Sequence, residues 1–256
     1  MLRPTAAALT TIGAVLLAAL GLIVQLGLRA GVPAVHIAII CWLVLTYSVS
    51  GLVAWRCRPG NRFGPLMVLT GFAALGSTLI WAGEDGILHT IGQALDVLPL
   101  VLIVHVFVTF PTGRLRGRVE KVIIGSGYVV AVGGQLVVMA LGGLGPHRLA
   151  IVDEPGVAVA VHNVELAVVS AAALAGVALL TVRRRNRGRP LRRSLTLLID
   201  SFTVGLAMIA LLLLVGAFGG PPFPVVQRIS LILIGIAPVA FLAGLLQARL
   251  ARTAVG

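Results

Sequence analysis

His89, Gln93 and Asp96 stand at positions i, i+4 and i+7 of an otherwise apolar stretch. On a continuous helix that spacing puts all three on one face. An imidazole, an amide and a carboxylate together can bind a ligand, hold an ion or pass a proton. The same trio can also act as an internal hydrogen-bonding patch that fixes helix packing, and the spacing admits both readings. His105 follows nine residues after Asp96, half a revolution further round the helix, so it belongs to another face and is expected to be a packed, hydrogen-bonded residue. Asp200 lies seven residues beyond Arg193 and is expected to accept from nearby arginine or serine groups. His36, Gln25 and Gln135 are expected to bond between helices. His147, His162 and Glu165 are expected near one surface, at spacings that match no compact metal motif. The chain contains no GxxxxGK[ST] phosphate loop, HExxH helix, GxSxG elbow or CxxC pair. No catalytic residue, metal or cofactor is therefore assigned.

The elements that carry these residues follow from composition. Of the 256 residues 59% are hydrophobic and only 11% charged, with a mean hydropathy of +1.08. A soluble domain carries about 25% charged residues, so the chain groups with membrane proteins. The net charge of +12 falls in short clusters between apolar runs rather than on one face. Its partner is thus expected to be the lipid bilayer and not nucleic acid. Cys41 and Cys57 on one helix would be about 24 Å apart, too far for a disulfide.

A bilayer core about 30 Å thick needs roughly 20 apolar residues per helix. Eight runs qualify: 5–28, 32–55, 65–83, 87–110, 122–144, 164–182, 194–218 and 229–248. The expected fold class is an all-α bundle of about eight transmembrane helices, with residues 1–248 as one membrane domain and 249–256 opening a linker helix. The connection at about 145–163 is expected to be turns with one interfacial segment. If the loop carrying Arg56, Arg58 and Arg62 is cytoplasmic, 17 of the 20 basic residues fall on that side and both termini are cytoplasmic. A multi-pass plasma (inner) membrane protein is the expectation. Asp96 would then lie roughly 14 Å from the outer end of its span and Asp200 roughly 10 Å into its own. At such depths an ionisable group costs at least ~2.5 kcal/mol and is functional by default. Ala172 and Gly176 form a small-xxx-small step on the sixth run.

Two inner connections have specific chemistry. Arg56-Cys57-Arg58-Pro59-Gly60-Asn61-Arg62-Phe63-Gly64 joins the second and third runs, and Phe110-Pro111-Thr112-Gly113-Arg114-Leu115 closes the fourth. Pro59 restricts φ, while Gly60 and Asn61 tolerate positive φ. Pro111 stops a helix and Gly113 turns the chain. Each motif alone is explained as a positively charged stop turn. Their order, followed by Phe241-Leu242-Ala243-Gly244-Leu245-Leu246-Gln247-Ala248-Arg249-Leu250-Ala251-Arg252, resembles the N-terminal membrane region of actinobacterial NarL-type two-component sensor histidine kinases. That family has RPGNRIG-like and FPDGRL-like turns and an LLRSRLAR-like exit helix. Thr112 stands where the family often has Asp, and Phe63 where it often has Ile.

The resemblance implies a sensory input module that relays a stimulus through its last helix to a cytoplasmic kinase region, which would follow position 256. It also implies a homodimer and a cytoplasmic response regulator as partners. The last run supports such a relay, because its leucines continue at helical spacing into Leu250 and Arg252 without a cap. Asp96 and Asp200 at bilayer depth point to an alternative, a small transporter or channel component.

Overall fold

A computed structural model describes residues 4–83, 86–143, 149–186, 193–218 and 223–253. Of the described residues 85% are helical, and none of them is in a strand. The elements are α1 (Ala6–Arg29), α2 (Ala34–Cys57), α3 (Phe63–Ser77) with a 3-10 turn at Thr78–Trp81, α4 (Ile87–Ala94) and α5 (Leu98–Thr109). They continue with α6 (Arg118–Tyr128), a π-helical stretch at Val129–Gly134, α7 (Gln135–Ala140), α8 (Pro155–Asn186), α9 (Arg193–Phe218) and α10 (Phe223–Thr253). Among the described residues, eight helical segments are long and apolar enough to cross a membrane. These mark a multi-pass membrane protein.

The expected runs become helices, with two kinds of difference. The sixth starts at Pro155, nine residues before the expected 164, so the second half of the 145–163 connection is helix and not turns. Proline is suited to the first helical position, where its missing N–H has no partner to lose. Three other runs are interrupted: the third tightens into the 3-10 turn, the fourth breaks between α4 and α5, and the fifth loosens into the π stretch. Hydropathy follows side chains, and these interruptions are events of the backbone.

α5 is apolar on every side, and nine of its twelve residues are buried. A helix of that kind belongs in the middle of a bundle, and α5 touches α3, α6, α8 and α9. α10 lies between α9 and α2. α1 is peripheral, with only Leu16, Ile23 and Gly27 buried. Leu17, Leu69, Val129, Val204 and Ile229 are among the large apolar residues left exposed, a surface suited to lipid contact.

Within lipid, helices associate through close packing rather than through release of water. Where α2 crosses α3, a Cβ on Gly64 would come within 2.8 Å of the Trp55 Cα and 2.9 Å of the Gly51 carbonyl oxygen. Only a glycine permits that approach. A Cβ on Gly176 would meet Leu206 of α9 at 3.0 Å, so the small residue in α8 lies at a helix contact.

Candidate functional site

Two regions at opposite ends of the bundle gather most of the polar chemistry. The first is built around the break in the fourth span. Pro99, the second residue of α5, cannot donate to the carbonyl of Leu95 four residues earlier. The helix stops at Ala94 and restarts at Leu98, leaving Leu95, Asp96 and Val97 between the two segments. The Gln93 carbonyl accepts from the Asp96 N–H at 3.1 Å and from Gln135 Nε2 of α7 at 2.7 Å. Gln135 is wholly buried, and it supplies the donor that irregular backbone at membrane depth requires. It directly follows the π stretch, a conformation frequent at functional sites.

Asp96 is exposed, and what it faces is a cavity of about 210 Å³ between α5, α8, α9 and α10. His162 and Gln227 supply the other polar lining groups, among apolar walls that include Leu100, Leu212 and Phe223. Behind His162, its Nδ1 lies 3.2 Å from Glu165 Oε2. Glu165 is 1% exposed, and its Oε1 has no hydrogen-bond partner among the described residues. Among the described residues no group of three or more His, Cys, Asp or Glu could hold a metal ion.

The expected His89–Gln93–Asp96 stripe does not form one face, because the helix that would align it is broken after Ala94. His89 turns to the 3-10 turn, its Nδ1 donating to the Ile80 carbonyl at 2.5 Å. Gln93 is buried against α7, and only Asp96 reaches the cavity. His105 packs edge-on against Tyr128, with its Nδ1 2.9 Å from the phenol oxygen. Asp200 accepts from Arg184 at 2.5 Å on an exposed surface, the two side chains 41% and 50% exposed. His147, Arg148, Glu84 and Asp85, together with Arg187, Arg189 and Arg192, lie outside the described residues.

Gln227 carries no signal in the sequence, and His162 is expected near the outer surface, at a spacing that matches no metal motif. His162 reaches the cavity because α8 starts early. Neither residue is marked by any motif.

The second region lies at the arginine-rich end. The Asn61 N–H bonds to the Arg58 carbonyl at 3.0 Å and closes the first turn. Gly60 is not among the positive-φ glycines, so the turn does not use the freedom expected of it. Asn61 instead bridges the two motifs: its Oδ1 accepts from the Phe63 N–H at 2.9 Å and its Nδ2 donates to the Pro111 carbonyl at 2.8 Å. Pro111 follows a cis peptide bond. Gly113 has φ +65° and lies directly against the Arg62–Phe63 backbone, where any Cβ would collide. Arg58 and Arg114 are exposed beside this junction.

Behind the paired turns lies an aromatic cluster. Phe63 contacts Phe110 edge-on at 5.5 Å and Phe241 at 4.9 Å. Phe110 contacts Phe202 of α9 at 5.0 Å and Phe241 of α10 at 6.1 Å, and Phe107 stacks on Phe202 at 4.7 Å. Beside the cluster, Glu120 is 6% exposed. Its Oε2 accepts from the Arg116 N–H at 2.7 Å, and its Oε1 pairs with Arg183 of α8. Arg183 Nη1 also donates to the Val108 carbonyl at 2.7 Å, one of the last carbonyls of α5, which have no intrahelical donor. Two connections and the end region of α8 therefore meet here.

In α10, Pro238 lies inside the helix, and its carbonyl accepts from Ser50 of α2 at 3.1 Å.

No family model, curated protein or solved structure matches the chain.

Proposed function

We propose that this chain is the sensory input module of a two-component histidine kinase, relaying a stimulus through α10 to a cytoplasmic kinase region. In this reading the arginine-rich end faces the cytoplasm of a plasma-membrane protein, the complete protein is a homodimer, and its output partner is a response regulator. One observation carries the reading. The two arginine turns are a single docked unit, and the aromatic cluster joins that unit to Phe241 on the last helix. Stop turns with no further role have no need to touch one another or the exit helix. Signalling by such a device needs two packings a few kcal/mol apart, and contacts between ring faces and edges suit small displacements. Reading the gene beyond the Gly256 codon tests the proposal. It should continue into a dimerisation helix with a phospho-accepting histidine and then an ATP-binding domain, and an immediate stop codon would refute it.

The cavity at Asp96 favours a second reading, a small transporter or channel component. Flux of a small cation in proteoliposomes that vanished in Asp96→Asn would favour it over the first.

A further inference from the structure

We infer that the cavity between α5, α8, α9 and α10 binds a small organic cation with an apolar body, a primary amine no larger than one aromatic ring with a short chain. The charge comes first. Asp96 faces the cavity, His162 lines it beside the buried Glu165, and none of the described residues that line it is a lysine or arginine. A carboxylate that opens into a small, mostly apolar cavity attracts a cation more strongly than one in bulk water. The His162 ring stands near two carboxylates, Glu165 and Asp96, and one imidazolium can compensate only one of them. Size comes next. About 210 Å³ is below the roughly 300–1,000 Å³ of pockets for drug-sized ligands, so the occupant is small. Shape completes the assignment, since Leu100, Leu212 and Phe223 form apolar walls that an alkyl or aryl group fills and a hydrated metal ion does not.

Phe223 and Gln227 belong to the first turns of α10, the helix that carries Phe241 about 21 Å further along its axis. An amine in the cavity would therefore touch the proposed relay helix at one end while the aromatic cluster holds it at the other. That the amine is the stimulus rests on the kinase-input reading; that it binds does not.

Binding of phenethylammonium to the purified full chain in nanodiscs, measured by calorimetry, tests the site, with phenethyl alcohol as the neutral counterpart. The ammonium should bind at least about ten-fold more tightly than the alcohol. Asp96→Asn should erase that preference, and Leu100→Phe should remove binding of both by filling the space. The unliganded melting temperature of each variant reports whether it folds, and the amine–alcohol comparison on the unaltered chain needs no variant. Equal affinity for amine and alcohol, or no binding of phenethylammonium, would overturn the inference. Spin labels at Arg114→Cys and Gln247→Cys, in a chain whose Cys41 and Cys57 are replaced by serine, then test the relay. A shifted distance on amine binding supports it, whereas binding with an unchanged distance keeps the site and defeats the kinase-input reading.

Discussion

Replacing Glu120 by glutamine is the sharpest perturbation of the arginine-rich end. The carboxylate uses both oxygens, one on the Arg116 N–H at 2.7 Å and one on the Arg183 guanidinium. Glutamine keeps the shape but must point its amide NH2 at one of these two donors. One charge-assisted hydrogen bond is lost outright, worth about 1.5–3 kcal/mol, and the other is weakened to a neutral one. Arg183 is 30% exposed, so solvent screening reduces the ionic share. Together these give an expected loss of about 2–3 kcal/mol. Arg183→Met should cost a similar amount, because it also removes the donor to the Val108 carbonyl. The double variant should be less destabilised than the sum of the singles by about 1–2 kcal/mol, since the two residues share one interaction. Reversible unfolding in mixed micelles, followed by tryptophan fluorescence, measures all three. A Glu120→Gln variant within about 0.5 kcal/mol of the unaltered protein, the range of ordinary surface changes, or a strictly additive cycle, would refute the reasoning.

Other expectations concern separate parts of the structure. Asn61→Ala should cost about 1 kcal/mol. Gly113→Ala should cost more, about 2 kcal/mol or above, because a residue with a Cβ is strained at φ +65° and collides with the Arg62–Phe63 backbone; thermal melting in detergent orders the two. Arg184→Ala should change stability by less than about 1 kcal/mol, as its pairing with Asp200 is solvent-exposed, and a larger loss in the same unfolding assay would contradict that assignment. Gln135→Leu removes the buried donor to the Gln93 carbonyl and should cost about 1–2 kcal/mol, read as faster hydrogen exchange around Leu95–Val97. For topology, a carboxy-terminal green fluorescent protein should fluoresce and a carboxy-terminal alkaline phosphatase should be inactive; the opposite pattern would reverse the orientation.

The helices were legible in the sequence because each span must carry its own apolar run, and lipid enforces that over some twenty residues. The stop at Pro111 and the turn at Gly113 were legible too, since proline and glycine act through local backbone geometry. The docking of Asn61 on Pro111 was not, because a contact across 50 positions leaves no periodic trace. The stripe failed for a related reason. Helical spacing predicts a shared face only while the hydrogen-bond ladder is unbroken, and Pro99 interrupts it. The π stretch is silent in composition, its Val-Val-Ala-Val-Gly-Gly sequence fitting an ordinary helix equally well. The cavity takes its lining from four helices, three of them contributing residues that look unremarkable in isolation.

The proline in the final helix has a mechanical consequence. Its nitrogen carries no hydrogen, so the Ile234 carbonyl has no donor one turn ahead, and the helix is least stiff where Ser50 grips it. Fifteen residues, Val239 to Thr253, extend about 22 Å beyond that point, the first of them packed against the bundle through Phe241 and Leu245. A tilt of about 10° there would carry the tip sideways by about 4 Å, and it would have to shift the Phe241 and Leu245 contacts with it.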